Sequence, residues 1–190
     1  MPKIICFSGK SNSGKTTLIC KVAVMLREMG LSVSIIKHDP KNKAEFDTQG
    51  KEHNKDSFKF SQVAQRVAVI SPQKSTILSN NTKNPTTDSH STQDNTFGDI
   101  SEYELGEFQK IIHFFDDCDI VLIEGLKHLP YPRIVVFREQ IDKDYIPYAN
   151  AFGLSADIIN NKQQMEILPN LPIFDIDNPK EMVDFIIKLT

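Results

Sequence analysis

Tryptophan is absent from this sequence, cysteine is scarce, and no apolar run approaches the length that crosses a membrane. A spanning helix needs about 20 apolar residues, so no membrane association is expected. The stretch 4–7 is too short for a signal-peptide core. Cys6, Cys20 and Cys118 form no C-x-x-C pair, which argues against a disulfide framework or a cysteine metal cage. We therefore expect a cytoplasmic protein in which Cys6 and Cys118 are buried thiols.

An excess of positive charge is also missing. Lysine and arginine total 22 against 25 aspartate and glutamate residues, which gives a formal net charge of −3. Because a phosphate backbone attracts a basic surface, no nucleic-acid partner is expected. Hydrophobic residues make up 39% of the 190 residues and charged residues 25%. This composition predicts one ordinary globular domain over residues 1–190.

Apolar runs and helical periodicities alternate along the chain. Runs without polar alternation are typical of strands covered on both faces, and they predict strands at 4–7, 33–36, 67–70, 119–124, 133–137 and 173–176. Apolar side chains at three- and four-residue spacings predict helices at 18–26, 101–115 and 178–189, with a shorter helix at 56–65. The alternation predicts an α/β fold with a doubly wound, mainly parallel sheet.

Residues 71–99 differ in composition from the rest of the chain. Serine, threonine, asparagine, glutamine, aspartate and lysine dominate this segment, and large apolar residues are few. Such a segment buries too little apolar surface to offset the entropy lost on ordering. We predict a mobile polar insertion here, with a functional lid as the alternative.

The strongest motif lies near the N-terminus. Residues 9–16 match the phosphate-binding pattern G-x-x-x-x-G-K-[ST] in full, between a predicted strand and a predicted helix. Amides of such a loop, together with the positive end of the following helix, attract phosphate oxygens. The motif predicts binding of a purine nucleoside triphosphate, with candidate contacts from Gly9, Lys10, Ser11, Asn12, Ser13, Gly14, Lys15, Thr16 and Thr17.

Individual loop residues have distinct predicted roles. Lys15 would reach the β- and γ-phosphates as a point charge, and the Thr16 hydroxyl would ligate Mg²⁺. Thr17 is a candidate for the α-phosphate. Lys10 has two interpretations: an exposed, solvated lysine, or the lysine that in one branch of P-loop proteins reaches the partner's nucleotide across a dimer interface.

A magnesium site next to a P-loop also needs an acid at the end of a neighbouring strand. Glu124 closes the apolar run 120–123 and is followed by a glycine, so we predict that it holds Mg²⁺ with Thr16. Asp119 begins the same strand and would lie about 16 Å away, at its other end. Strand two ends in Lys37, His38 and Asp39, and the carboxyl ends of parallel strands face the ligand. A structural His38 and a functional His38 both remain open.

Together these motifs resemble the MobB family of molybdopterin-guanine dinucleotide biosynthesis adapters. The resemblance rests on the loop continued through Thr17-Leu18, on Ile36-Lys37-His38, on Asp56-Ser57 and on Ile123-Glu124-Gly125-Leu126-Lys127. It extends from Pro2 to about Lys127, with weaker similarity near 172–175. The Lys-His pair followed by Asp-Ser distinguishes this family from other P-loop proteins.

The resemblance implies a P-loop NTPase fold and a GTP-binding protein of the dimeric P-loop GTPase class, with Mg²⁺ and feeble hydrolysis. Such a protein assists the molybdenum cofactor guanylyltransferase, the enzyme that joins GMP to molybdopterin. Molybdopterin is a further candidate ligand of this chain. Lys37, His38 and Asp56 fall in the family's motif regions near the nucleotide and the dimer interface. Asp47 matches a further acid of the family, so Asp39, Asp47 and Asp56 are the candidates for orienting water.

The sequence also departs from the family pattern. Asp39-Pro40 stands where further histidine is usual, and four residues separate Gly50-Lys51 from Asp56-Ser57. A base-reading Asn-Lys-x-Asp signature is absent, because Asn160-Asn161-Lys162 is followed by two glutamines. The preference for GTP over ATP therefore rests on the resemblance.

Two alternatives use the same loop. A small-molecule kinase would need an arginine-bearing lid to stabilise the transferred phosphoryl group, and the segment 71–99 contains no arginine. A partition-type ATPase that changes partners with its nucleotide state would use Lys10 at a dimer interface.

Overall fold

The computed structural model describes residues 1–40, 56–72, 74–79, 87–91 and 102–189. The strands in chain order are β1 (Lys3–Ser8), β2 (Val33–His38), β3 (Arg66–Ile70), β4 (Lys74–Ser79), β5 (Thr87–Ser91), β6 (Ile120–Glu124), β7 (Arg133–Phe137), β8 (Ala151–Leu154) and β9 (Ile173–Asp175). The helices are α1 (Lys15–Glu28), α2 (Asp56–Val63), α3 (Glu102–Phe114), α4 (Ala156–Ile159), α5 (Lys162–Met165) and α6 (Lys180–Lys188), with a 3-10 helix at Lys143–Tyr148.

The strands form one nine-stranded sheet in the order β5-β4-β3-β2-β6-β1-β7-β8-β9. In this spatial order, every neighbouring pair from β3 through β2, β6, β1, β7 and β8 to β9 is parallel. β4 pairs antiparallel with both β3 and β5. The predicted α/β fold with a doubly wound, mainly parallel sheet is therefore confirmed. Each predicted strand is present within a few residues of its expected bounds.

Helices cover both faces of the sheet because successive strand residues point to opposite sides. On β1, Ile5 and Phe7 pack into the cluster that contains α1, α2 and α6, while Ile4 and Cys6 pack against α3. The central strands are consequently buried on both faces, which explains their uninterrupted apolar sequence. None of the helices in the described ranges is both long and apolar enough to cross a bilayer.

The prediction of a mobile insertion is wrong for residues 74–79 and 87–91, which form β4 and β5. β4 continues the sheet from β3, with Val67 opposite Leu78 and Val69 opposite Thr76. This strand could not be predicted from its polar composition. Backbone hydrogen bonds to β3 stabilise it, and these do not depend on the hydrophobicity of its side chains. Residues 73, 80–86 and 92–99 lie outside the described part of the chain.

Helix α3 also corrects one detail of the predicted apolar face. Phe108, Ile111 and Ile112 are buried as expected, but Leu105 is 42% exposed. Glu104 is buried instead, where it meets a residue of β2. Ser101, the first residue of the predicted helix, lies outside the described residues.

Candidate functional site

The P-loop connects β1 to α1 and depends on two glycines. Gly9 has φ 148°, and a Cβ built on it would lie 2.4 Å from the backbone oxygen of Val136. Gly14 has φ 88° and caps the N-terminus of α1. L-residues with a side chain rarely adopt such φ values. The loop therefore packs tightly against β7, and α1 begins directly after the loop.

Lys15 lies over this loop. Its ammonium donates to the backbone oxygens of Gly9 at 3.0 Å and Lys10 at 2.6 Å. Burial lowers the pKa of Lys15, and the nearby Glu124 carboxylate opposes that shift. The side chain thus holds a partly desolvated positive charge where the phosphate-binding motif requires one.

The side chains of Thr16 and Glu124 lie next to each other. Register places Glu124 of β6 beside Phe7 of β1, and the Thr16 hydroxyl donates to Glu124 Oε1 at 3.0 Å. Glu124 Oε2 is buried and accepts no hydrogen bond from the described residues, and burial raises the pKa of this carboxyl. A buried carboxylate oxygen beside a hydroxyl fits Mg²⁺, which binds one or two carboxylates together with substrate phosphates.

Asp119 lies at the opposite end of the same strand, as predicted. Its carboxylate accepts from the Ser32 amide at 2.7 Å and from the Ser32 hydroxyl at 2.6 Å. It joins the turn after α1 to the start of β6. Asp119 is therefore a structural residue away from the nucleotide site.

Lys37 pairs with acidic side chains of β6 and α2. The register pairs Lys37 with Glu124, and the Lys37 ammonium lies 3.6 Å from Glu124 Oε2 and forms an ion pair with Asp56. Asp56 opens α2. The structure thus brings five predicted site residues together: Lys15, Thr16, Lys37, Asp56 and Glu124.

His38 and Asp39 occupy separate positions at the same edge of the sheet. His38 Nε2 lies 2.7 Å from Glu104 Oε1, and both side chains are largely buried. The Asp39 amide donates to the Ile70 oxygen at 2.8 Å, which continues the β2–β3 pairing by one residue. Asp47 lies outside the described residues.

The outer side of the P-loop borders a cleft of ≈ 250 Å³. Residues 10–13 form one wall and residues 136–140 the other. Lys10 forms an ion pair with Asp142 at 3.2 Å. Ser11 and Asn12 are exposed, Ser13 is buried, and Thr17 is exposed on the first turn of α1.

Arg138 belongs to this cleft and was not among the predicted site residues. A Cβ built on Gly14 would lie 3.0 Å from Arg138 Nη2 and 3.1 Å from Nε, so the guanidinium packs against the P-loop. Arg138 directly follows β7, which pairs with β1. The rule that singled out Lys37 and His38, that ligand contacts follow the ends of parallel strands, would have found Arg138 too.

The described residues contain no group of three or more histidine, cysteine or acidic side chains arranged to hold a metal ion by themselves. A site that shares Mg²⁺ with phosphates needs no such group. The geometry therefore suits a metal that arrives with a nucleotide.

Comparison with known protein families decides the relationship. The model for "Molybdopterin guanine dinucleotide synthesis protein B", MobB, matches residues 4–157. The chain belongs to the MobB family.

Named relatives agree with this assignment. The chain is 24% identical over 184 residues to the "Probable molybdopterin-guanine dinucleotide biosynthesis adapter protein" of Bacillus subtilis, covering 97% of this chain and 91% of that protein. It is 25% identical over 183 residues to the adapter protein of Haemophilus influenzae, covering 96% and 86%. The family resemblance inferred from the sequence is thus confirmed.

A solved structure supports the fold. The MobB protein homolog from Bacillus stearothermophilus superposes with a TM-score of 0.52 at 16% identity, covering 97% of this chain and 95% of that one. At this identity the likeness concerns the fold alone. It agrees with the predicted P-loop NTPase fold.

Proposed function

We propose that this MobB-family chain is a GTP-binding adapter that assists the attachment of GMP to molybdopterin during molybdenum cofactor biosynthesis. Its relatives bear the name of molybdopterin-guanine dinucleotide biosynthesis adapter. The observation that carries the nucleotide part of the proposal is the junction of Thr16 and Glu124 beside the P-loop. The whole chain, residues 1–190, would act as one nucleotide-binding domain.

Phosphate binding follows from the charges around the loop. The Lys15 ammonium and the loop amides would neutralise the β- and γ-phosphates. Thr16 Oγ1 and Glu124 would hold Mg²⁺, which supplies charge neutralisation between the phosphate oxygens. The burial of Glu124, and its Oε2, which accepts no hydrogen bond from the described residues, support this assignment. The preference for guanine rests on membership of the family.

The proposal includes slow hydrolysis of GTP. Asp56, one candidate for orienting water, forms an ion pair with the Lys37 ammonium, so its carboxylate is already engaged. Asp39 and Asp47 remain the other candidates. Without a strong base at the γ-phosphate, turnover depends on positioning and charge stabilisation.

An adapter acts through a partner. The proposed partner is the molybdenum cofactor guanylyltransferase, and molybdopterin is a further proposed ligand. A homodimer and a cytoplasmic location complete the proposal. The kinase and partition-type alternatives explain the P-loop equally well but do not account for membership of the MobB family.

Titration of the purified chain with labelled GTP and ATP, with and without Mg²⁺, tests the nucleotide site. We expect GTP to bind more tightly than ATP, and Lys15→Ala to lose most of the affinity. Lys162→Ala, which removes an exposed lysine from α5, is the matched control. Equal affinity of Lys15→Ala and the parent would place the nucleotide elsewhere, and tighter ATP binding would contradict the GTP assignment.

The magnesium assignment needs its own variant. Glu124→Gln keeps the size of the side chain and removes its charge. Affinity for GTP in the presence of Mg²⁺ should fall about tenfold or more, comparable to losing a supporting ligand of a metal site. Affinity in the presence of EDTA should change little. An equal loss under both conditions would show that Glu124 acts without the metal.

A further inference from the structure

A second cavity lies apart from the nucleotide site. It has a volume of ≈ 450 Å³ and is lined by residues 127–133 together with Tyr148 and Asn150. It borders Arg133, the first residue of β7, whereas the P-loop cleft borders the last residues of that strand. The two cavities share no lining residue. This volume falls within the range of small-molecule sites.

The wall of this cavity is held in place by a buried arginine. Arg133 is 2% exposed, and its guanidinium donates to the Leu126 oxygen at 2.6 Å, the Leu129 oxygen at 2.7 Å and Ser8 Oγ at 2.8 Å. The Arg133 amide donates to Asn150 Oδ1 at 2.9 Å. These bonds join the loop 126–129 to β1 and to the segment before β8. The cavity is therefore a preformed site.

The chemistry of the lining combines a positive charge with aromatic rings. The Lys127 ammonium lies 5.7 Å from the centroid of the Tyr148 ring and 5.9 Å from that of Tyr145. The His128 and Tyr148 rings meet edge to face at 5.2 Å. Asp142 is the carboxylate of the described residues whose pKa the Lys127 charge helps to lower, but Asp142 forms its ion pair with Lys10 at 3.2 Å. The Lys127 ammonium can therefore still pair with an anion.

Tyr131 and Asn150 add hydrogen-bonding groups to the lining. Burial raises the pKa of Tyr131, so its hydroxyl stays protonated and able to donate at neutral pH. The Asn150 oxygen accepts from Arg133, which leaves its amide nitrogen as a donor. A planar ring that carries both carbonyl and ring-nitrogen acceptors suits such partners.

We propose that this cavity, lined by Lys127, His128, Tyr131, Tyr148 and Asn150, binds a phosphorylated pterin. One of the two perpendicular rings of His128 and Tyr148 would stack on the planar pterin and the other would contact its edge, and the Lys127 ammonium would pair with the phosphate. The proposal rests on the proposed function, in which GMP and molybdopterin are joined into a dinucleotide, a linkage that requires a phosphate on the pterin. It adds a second site on this chain, separate from the P-loop.

Fluorescence titration of the full chain with neopterin monophosphate tests the site. Unphosphorylated neopterin and inorganic phosphate serve as matched probes for the ring and the charge. We expect the phosphorylated pterin to bind about tenfold more tightly than neopterin, the size of one favourable charge contact. Equal affinity for the two pterins would overturn the role of Lys127, and no binding of either would overturn the site.

Variants assign the contacts. Lys127→Gln should remove the tenfold preference for the phosphorylated pterin, whereas Lys162→Gln should keep it. Tyr148→Leu should weaken both pterins, and Tyr148→Phe should retain the ring contact and most of the affinity. Unchanged titrations with Lys127→Gln and Tyr148→Leu would place the pterin elsewhere and overturn the proposal.

GTP titrations on the same proteins separate this inference from the proposed function. Lys127→Gln should bind GTP as the parent does, and Lys15→Ala should bind the pterin as the parent does. Loss of pterin binding by the parent with intact GTP binding would overturn the second site alone. Failure of the parent to bind GTP would overturn the nucleotide proposal, whatever the pterin result.

Discussion

A few side chains set the electrostatics of the proposed nucleotide site. Lys15 is partly desolvated over the loop, and Lys37 lies between the carboxylates of Asp56 and Glu124. Both acids are thus matched by a nearby ammonium, while Arg138 adds positive charge on the outer side of Gly14. Because a triphosphate with one Mg²⁺ remains anionic, the local excess of cations favours its binding.

Arg138 gives the clearest prediction at this scale. Arg138→Ala should weaken binding of GTP about tenfold, because an exposed guanidinium that packs on the P-loop can pair with a phosphate oxygen. Arg138→Lys should restore part of the affinity, since it retains the charge but lacks the planar fork. Isothermal titration calorimetry of the three proteins measures the differences.

The neighbouring Glu139 supplies the control. Glu139→Ala changes an adjacent exposed side chain of the same cleft and should not weaken GTP binding. If Arg138→Ala and the parent bind GTP equally, Arg138 contributes only packing to the loop.

At the scale of secondary structure, the central strands and the edge strand β9 were predictable, whereas β4, β5 and β8 were not. Strands such as 120–124 and 133–137 are buried on both faces, so their apolar runs identify them. β4 depends on backbone pairing with β3 and has a polar sequence. β8 is four residues long and contains Gly153, which disfavours a strand assignment. Local sequence does not report such tertiary pairing.

The residues of the candidate site also fall into a predictable group and an unpredictable group. Lys15, Thr16 and Glu124 were predictable because a motif fixes their spacing or a strand end marks their position. The contact of His38 with Glu104 joins two elements that are 66 residues apart in sequence, and no local pattern encodes it. The proximity of Arg138 to Gly14 depends on the pairing of β7 with β1 in the same manner.

Substitution of Arg133 tests whether its hydrogen bonds fix the loop after β6. Arg133→Leu would leave the oxygens of Leu126, Leu129 and Ser8 without their buried donor. We expect a loss of about 3–5 kcal/mol in the free energy of unfolding, from unsatisfied acceptors and altered packing. Urea unfolding followed by circular dichroism measures it.

Arg27→Leu provides the comparison for this variant. The Arg27 guanidinium makes an exposed bond of 3.2 Å to the Val63 oxygen, so its loss should cost about 0.5 kcal/mol or less. Similar losses for the two arginine variants would contradict the structural role of Arg133.

The link between Ser32 and Asp119 predicts a pH dependence of stability. Hydrogen bonds from the Ser32 hydroxyl and amide hold the pKa of Asp119 below its ordinary range. A lowered carboxyl pKa stabilises the fold at pH values above the unfolded-state pKa, and this stabilisation disappears as pH falls through the folded-state pKa. Asp119→Asn should therefore be less stable than the parent at pH 7, and the difference should shrink below about pH 4.

Urea midpoints measured from pH 7 down to pH 3 examine this expectation. Asp184→Asn, which removes an exposed carboxylate of α6, controls for the change in net charge. A difference between Asp119→Asn and the parent that stays constant across the whole pH range would contradict the charged hydrogen bond.

For the whole molecule, we expect the proposed nucleotide binding to be coupled to folding. The site draws on β1, β2, β6, α1 and α2, and its ion pairs and hydrogen bonds join these elements across the sheet. Unfolding separates them, so a ligand that binds only the folded chain raises its stability. GTP with Mg²⁺ at 100 times its Kd should add about 2.7 kcal/mol.

That gain corresponds to a rise of about 5–11 °C in Tm for a chain of this size. Differential scanning calorimetry with GTP, with and without Mg²⁺, measures the shift, and Lys15→Ala should remove most of it because the variant lacks the charge that meets the phosphates. The Tm of Lys15→Ala without nucleotide reports any direct effect on the fold. A full ligand-dependent shift in Lys15→Ala would mean that GTP stabilises the chain from a site other than the P-loop, and the coupling across the sheet would then have a different origin.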